Sequence, residues 1–104
     1  MTRNEVGTDG RVCEAPAWQK AHTVTVAEAL PMMTINAAYA LFRDEEVGSL
    51  EPGKYADVIV LTGSPLAIAP EGIRELNVAL TIAGGRFVYC ADEFQTLCAA
   101  ATVP

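Results

Sequence analysis

The chain has 104 residues, a formal net charge of −6 and only seven Lys and Arg. It therefore holds at most one ordinary domain and lacks the basic cluster that nucleic acid or an anionic membrane surface requires. Its apolar share of 51% is high for this length, which points to some apolar surface meeting a partner, although much of it is alanine, which carries little burial energy per residue. No apolar run approaches the roughly 20 residues of a spanning helix and the first residues form no apolar signal segment, so the expectation is a cytoplasmic protein without a membrane partner.

In chain order, residues 1–24 read as a lead-in without sustained periodicity. "TDG" at 8–10 is a turn signal, and Trp18 is the only large apolar anchor; without a docking site for it the segment is expected to be mobile. Residues 25–104 read as a single domain. Thr25 and Glu28 form a capping-box pattern, and Val26, Ala29, Leu30 and Met33 fall on one helical face. Pro31 lies inside that helix and is expected to kink it. "TINAAYALF" restarts the helix, with Thr34 or Asn36 as cap and Ala37, Ala40 and Leu41 expected inward. "RDEEVG" then ends it with a charge run and Gly48.

"VGSLEPGKYADVIVL" (residues 47–61) has the build of a hairpin. Pro52 and Gly53 suit a type II turn, and Val58 to Leu61 suit a buried strand. "TGSPLAIAP" is a loop, and "PEGIREL" predicts one or two helical turns with Pro70 near the start. "NVALTIAGGRFVYC" is a second hairpin, turning at Gly84 and Gly85. Phe94, Leu97, Cys98 and Ala101 then share one face of a final helix, with Asp92 as its expected cap. Cys13, Cys90 and Cys98 are odd in number and form no C-x-x-C pair, so they are expected as free thiols, Cys98 filling a small apolar place on its helix.

Three of these segments, "TVTVAEALPMMTINAAYALF", "VGSLEPGKYADVIVLTGSPL" and "LNVALTIAGGRFVY", in this order and spacing, resemble the C-terminal portion of metal-dependent amidohydrolases. The nearer likeness is to the branch that removes acyl or formyl groups from amide nitrogens. It runs from about Thr25 to Tyr89, with a weaker likeness reaching back through "TRNEVGTDGR". The resemblance implies that the paired helices correspond to the end of a (β/α)₈ barrel. The hairpins would correspond to part of a small β-sandwich beside it. It also implies chemistry at the C-terminal ends of barrel strands, where a His-x-His pair, further histidines, often a modified lysine, and an aspartate hold one or two metals.

None of those motifs occurs in this sequence. His22 is the single histidine, too few for the three protein ligands of a catalytic zinc. It reads as a solvated loop residue. Asp9 lies in a turn signal and outside the context of the family's aspartate. Lys54 and Asp57 read as a turn-end charge and a carboxylate tied to backbone N–H groups. Asp44, Glu45 and Glu46 lack the spaced oxygens of a calcium loop, and "AGGRF" joins two strands where a phosphate loop would join a strand to a helix. No catalytic, metal-binding or cofactor-binding residue is assigned, and no cofactor is expected.

The sequence thus predicts an α+β fold: N-terminal helices packed on a small, mainly antiparallel sheet of two hairpins, plus a C-terminal helix. Functionally it reads as a non-catalytic amidohydrolase-like C-terminal remnant. The other readings are a homo-oligomer formed through exposed strand edges or an apolar face, and a subunit that completes a separate barrel-bearing chain.

Overall fold

The computed structural model describes residues 4–101; Met1, Thr2 and Arg3 of the lead-in lie outside the described residues. The lead-in carries more structure than its sequence suggests. Strands β1 (Glu5–Val6) and β2 (Val12–Cys13) pair antiparallel around the predicted turn. That turn closes through Gly7, whose N–H reaches the Arg11 carbonyl at 2.9 Å, and the Asp9 carboxylate accepts the Arg11 N–H at 3.0 Å. The side-chain amide oxygen of Asn4 accepts the N–H of buried Ala15 at 2.9 Å. Helix α1 (Ala17–Lys20) follows Pro16, and Trp18 stays 68% exposed.

Helix α2 (Val26–Met33) opens with the predicted capping box: the Thr25 side chain accepts the Glu28 N–H, and the Glu28 carboxylate accepts the Thr25 N–H. Pro31 sits within α2, and the chain breaks three residues later, at Thr34 (φ −120°, ψ −98°). The Thr34 hydroxyl does not cap helix α3 (Ile35–Ala40); it donates back to the Leu30 carbonyl at 2.9 Å. Ala38, with Ile35 half-buried, forms the inward face of α3, whereas Ala37, Ala40, Leu41 and Met33 are exposed. The expected inward set is therefore corrected by one position around the helix, because the helix pair packs mainly on itself and has no sheet beneath it.

The end of α3 is a Schellman motif. Arg43 N–H bonds the Ala38 carbonyl and Phe42 N–H bonds the Tyr39 carbonyl, both at 2.9 Å. Its corner residue, Phe42, has φ 57°, a conformation that costs a bulky L-residue about 1 kcal/mol and is usually left to glycine.

The first predicted hairpin is not formed. The turn is present, with Lys54 N–H on the Glu51 carbonyl and Gly53 at φ 95°, but residues 47–50 lie along α3 and do not pair with strand β3 (Val58–Leu61). Gly48, at φ 94°, approaches α3 so closely that an added Cβ would stand 2.7 Å from the Ala38 Cβ. This contact takes the incoming leg away from the sheet. One backbone bond crosses the turn, Tyr55 N–H to the Glu46 carbonyl at 2.8 Å.

Strand β3 pairs instead with β4 (Val78–Ala83), which pairs with β5 (Arg86–Cys90), giving an antiparallel sheet in the order β3-β4-β5. The second hairpin forms as predicted, with Gly84 and Gly85 at φ 56° and 79°. Central β4 supplies buried Ala79 and Leu80, while Ile59 and Val60 of edge strand β3 are exposed; the expectation that Val58 to Leu61 form the buried strand is thus corrected, because β3 lies at the sheet edge and β4 at its centre. A 3-10 helix over Pro70–Glu75 bridges the sheet strands, with Pro70 in its first turn.

After β5, a 3-10 turn (Asp92–Phe94) leads into α4 (Gln95–Ala101), and Asp92 provides no side-chain cap. Phe94 is half-buried and Cys98 buried, but Leu97 is exposed; the side chain of Ala101 lies outside the described residues. Cys98 is bonded to Cys90 across a Cα–Cα distance of 6.6 Å, which corrects the expectation of free thiols at both. The tight return after β5 brings the two residues within bridging reach. Cys13 is a free, exposed thiol.

The buried residues among those described are Ala15, Ala29, Ala38, Ala79, Leu80 and Cys98. The chain exposes 7954 Å², where a compact protein of its mass exposes about 5,600 Å². Its radius of gyration is 16.9 Å, against about 13 Å for a compact domain. The helix pair and the sheet thus stand beside each other with an open cleft between them.

Candidate functional site

That cleft is a largely apolar concavity. It encloses about 440 Å³ between α3, residues 47–50 and β3, lined chiefly by Met33, Ala37, Leu41, Leu50, Val58 and Ile59. Its polar groups are already engaged. The Thr34 hydroxyl bonds the Leu30 carbonyl, the Ser49 hydroxyl bonds the Glu51 carboxylate, and Asp57 accepts the Gly84 N–H at 2.7 Å. What the cleft offers is therefore chiefly apolar surface; the Ser49 hydroxyl that lies on the Glu51 carboxylate is also held by the Lys54 ammonium, as part of the turn.

The residues weighed from sequence are scattered. His22 lies on the exposed turn after α1, its backbone N–H on the Gln19 carbonyl at 3.1 Å. Asp9 holds its own turn and lies 3.4 Å from the Arg11 guanidinium. Lys54 bonds the Ser49 hydroxyl at 2.7 Å and pairs with Glu51 at 2.9 Å. The Glu51 carboxyl is held below the usual carboxylate range, first by the Ser49 hydroxyl and then by Lys54. In the acidic run, Glu46 pairs with Arg43 at 2.8 Å and raises the affinity of that guanidinium for its proton. Glu28 is likewise held low, first by the Thr25 N–H and then by its hydroxyl. Each of these shifts belongs to a turn or a helix cap.

Among the described residues, no three His, Cys, Asp or Glu side chains converge in a way that could hold a metal ion. The donor set does not fit the metal centre that the amidohydrolase resemblance implies: one histidine on an exposed turn cannot supply the ligand set.

Phe42 was not singled out by sequence reasoning. It is 93% exposed. The signal that could have found it is a helix end, "YALFRD", with no glycine or asparagine where the left-handed residue must stand. A second signal is the run from Ala29 to Phe42, which holds no charged residue.

Residues 7–89 match the amidohydrolase family. The chain is 46% identical over 66 residues to an N-substituted formamide deformylase of Arthrobacter pascens, covering 64% of this chain and 12% of that protein. It is 41% identical over 66 residues to an imidazolonepropionase of Phocaeicola vulgatus, covering 64% of this chain and 16% of the other. Among solved structures it is similar to an amidohydrolase from Thermotoga maritima, with a TM-score of 0.57 and 27% identity over 68% of this chain and 17% of that one. The chain thus spans less than a fifth of the length of these relatives. With residues 7–89 matched in sequence and 68% of the chain matched in space to an amidohydrolase, the chain belongs to the amidohydrolase family.

Proposed function

We propose that this chain forms the C-terminal, non-catalytic part of an amidohydrolase fold. In this reading α2 and α3 stand where the last barrel helices pack, and β3-β4-β5 form part of the neighbouring sandwich. The ancestral chemistry, hydrolysis of carbon–nitrogen bonds other than peptide bonds, belongs to metal ligands that this sequence does not contain. The observation that carries the reading is the pairing of a family match over residues 7–89 with a single histidine on an exposed turn.

The test is to incubate the purified chain with zinc and an N-substituted formamide, the substrate class named for one relative. The expected result is no stoichiometric zinc and no amide hydrolysis above the buffer rate. Zinc-dependent turnover that follows the protein through purification overturns the reading.

A second reading is favoured by the excess of exposed surface. The chain is then an assembled module, either self-associating or completing a separately encoded barrel, and its edge strand and apolar cleft are contact surfaces. Light scattering on the purified chain checks it. A defined oligomer supports self-association, whereas activity that appears only on mixing with a barrel chain supports the split enzyme.

A further inference from the structure

We propose that the Cys90–Cys98 disulfide is a redox latch. Closed, it holds α4 over the sheet face that carries Leu80; reduced by a dithiol, it releases the helix and uncovers that face while the sheet stays folded. The strand register places the parts. Leu80 pairs directly with Cys90 on one side and with Val60 on the other. Residues paired across an antiparallel ladder project to the same face, so Val60, Leu80 and Cys90 stand side by side. Exposure falls toward the bridge: Val60 is 42% exposed and Leu80 only 6%. Cys98, at the far end of the bridge, is buried too. The turn Asp92–Phe94 packs on β4, and α4 packs on β5. The bridge thus fastens α4 on the side where Leu80 is shielded.

The closed position of α4 depends on the bridge. The helix has seven residues, Gln95–Ala101, well short of the roughly 12–15 at which an isolated helix holds in water. It carries no charge with which to form an ion pair, and its Leu97 faces solvent. The Gln95 amide on the Cys90 carbonyl is an exposed hydrogen bond. The sheet, by contrast, is complete without α4. Strand β5 is laddered to β4 up to Cys90, and the Ala91 N–H bonds the Ala79 carbonyl at 2.8 Å. The hinge therefore falls in the 3-10 turn Asp92–Phe94, just past that last anchor.

The two sulfurs are not equally open. Cys90 is half-buried and Cys98 buried, so an incoming thiolate meets the Cys90 sulfur first. Its attack breaks the S–S bond, and the electron pair leaves on Cys98, which takes up a proton. The second thiol of the reductant, deprotonated, then attacks the mixed disulfide and releases Cys90, which is protonated in turn. The chain gains two electrons and two protons, and the dithiol departs as its cyclic disulfide. Cys13, exposed on the lead-in hairpin, takes no part.

The experiment is methyl NMR of the full chain with a neutral gadolinium chelate in the solvent. It is run on the oxidised chain, after equilibration with dithiothreitol, and after reoxidation with a small-molecule disulfide. Relaxation of the Leu80 methyls by the chelate should rise severalfold on reduction and fall back on reoxidation. The methyls of Ile59, exposed in the closed chain, should change little, and the β4 amides should keep their protection from hydrogen exchange. Cys98→Ser should show the high Leu80 value with or without dithiothreitol, whereas Cys13→Ser should respond as wild type does.

Leu80 methyls that stay shielded once mass analysis shows both thiols free overturn the latch. So does loss of β4 protection on reduction, which would make the bridge a support of the whole fold. An air-oxidised chain with three free thiols overturns it as well.

Discussion

A Cβ placed on Gly48 would lie 2.7 Å from the Cβ of Ala38, the one buried residue of α3. This close approach holds residues 47–50 against the helix. Gly48→Ala meets both a left-handed φ of 94° and a helix that cannot retreat, so it should cost about 2–3 kcal/mol. Gly53 has nearly the same φ, 95°, but open space around it. Gly53→Ala should therefore cost only about 1 kcal/mol. Urea unfolding of the two variants measures the difference directly, and equal losses would mean that the contact with Ala38 contributes nothing.

The cap of α2 gives a pH dependence with a definite sign. The Glu28 carboxyl is held below its ordinary value by the Thr25 N–H and hydroxyl. Its stabilising contribution is complete above the ordinary glutamate value and is lost as pH falls through the lowered one. As pH falls below the ordinary glutamate value, wild type should thus lose stability more steeply than Glu28→Gln, which has no carboxylate to protonate. At neutral pH, Thr25→Ala should cost about 1 kcal/mol. Denaturant midpoints across the acid range check both statements.

The bridge between Cys90 and Cys98 closes a short loop, with a sequence separation of 8. Chain-entropy reasoning gives it about 2.5 kcal/mol of stabilisation. Beside this bridge, the start of α4 is held to the sheet by the Gln95 amide on the Cys90 carbonyl at 3.0 Å, with half-buried Phe94 just before it. Adding a dithiol reductant should therefore speed hydrogen exchange over residues 95–101 well before it affects β4. Cys98→Ser should show the fast pattern with or without reductant, and a reductant response retained by that variant would contradict the assignment.

Asp57 fastens the outer strand to the glycine turn through the Gly84 N–H at 2.7 Å. Because the contact is exposed, Asp57→Ala should cost about 1 kcal/mol, less than a buried hydrogen bond to a charged acceptor contributes. Asp57→Asn keeps an acceptor oxygen and should lose less. Thermal melts rank the three proteins.

Features written into adjacent residues were legible in the sequence. The capping box at Thr25 and Glu28, the Pro52-Gly53 turn and the Gly84-Gly85 hairpin each depend on backbone preferences that their own residues impose. Features decided at a distance were not. Whether Val47 to Leu50 pair with β3 or lie on α3 turns on a contact with Ala38, and the partner of β3 begins 17 residues beyond its end. The inward face of α3 was misread because periodicity locates an apolar stripe without saying what lies opposite it. For the candidate site, the single histidine is plain in the sequence, while Phe42 is noticed only from its backbone angle in the structure.

Leu80 is the largest of the buried side chains among the described residues, and four of its five companions are alanines. The common way for a point mutation to unfold a protein is to hollow out its interior. Here that route has essentially one address. Leu80→Ala would remove most of what there is to hollow, while a random substitution elsewhere meets a surface. A lineage of such chains is free to drift in sequence at most positions, and its tolerance to mutation would be set by Leu80 and a few glycines.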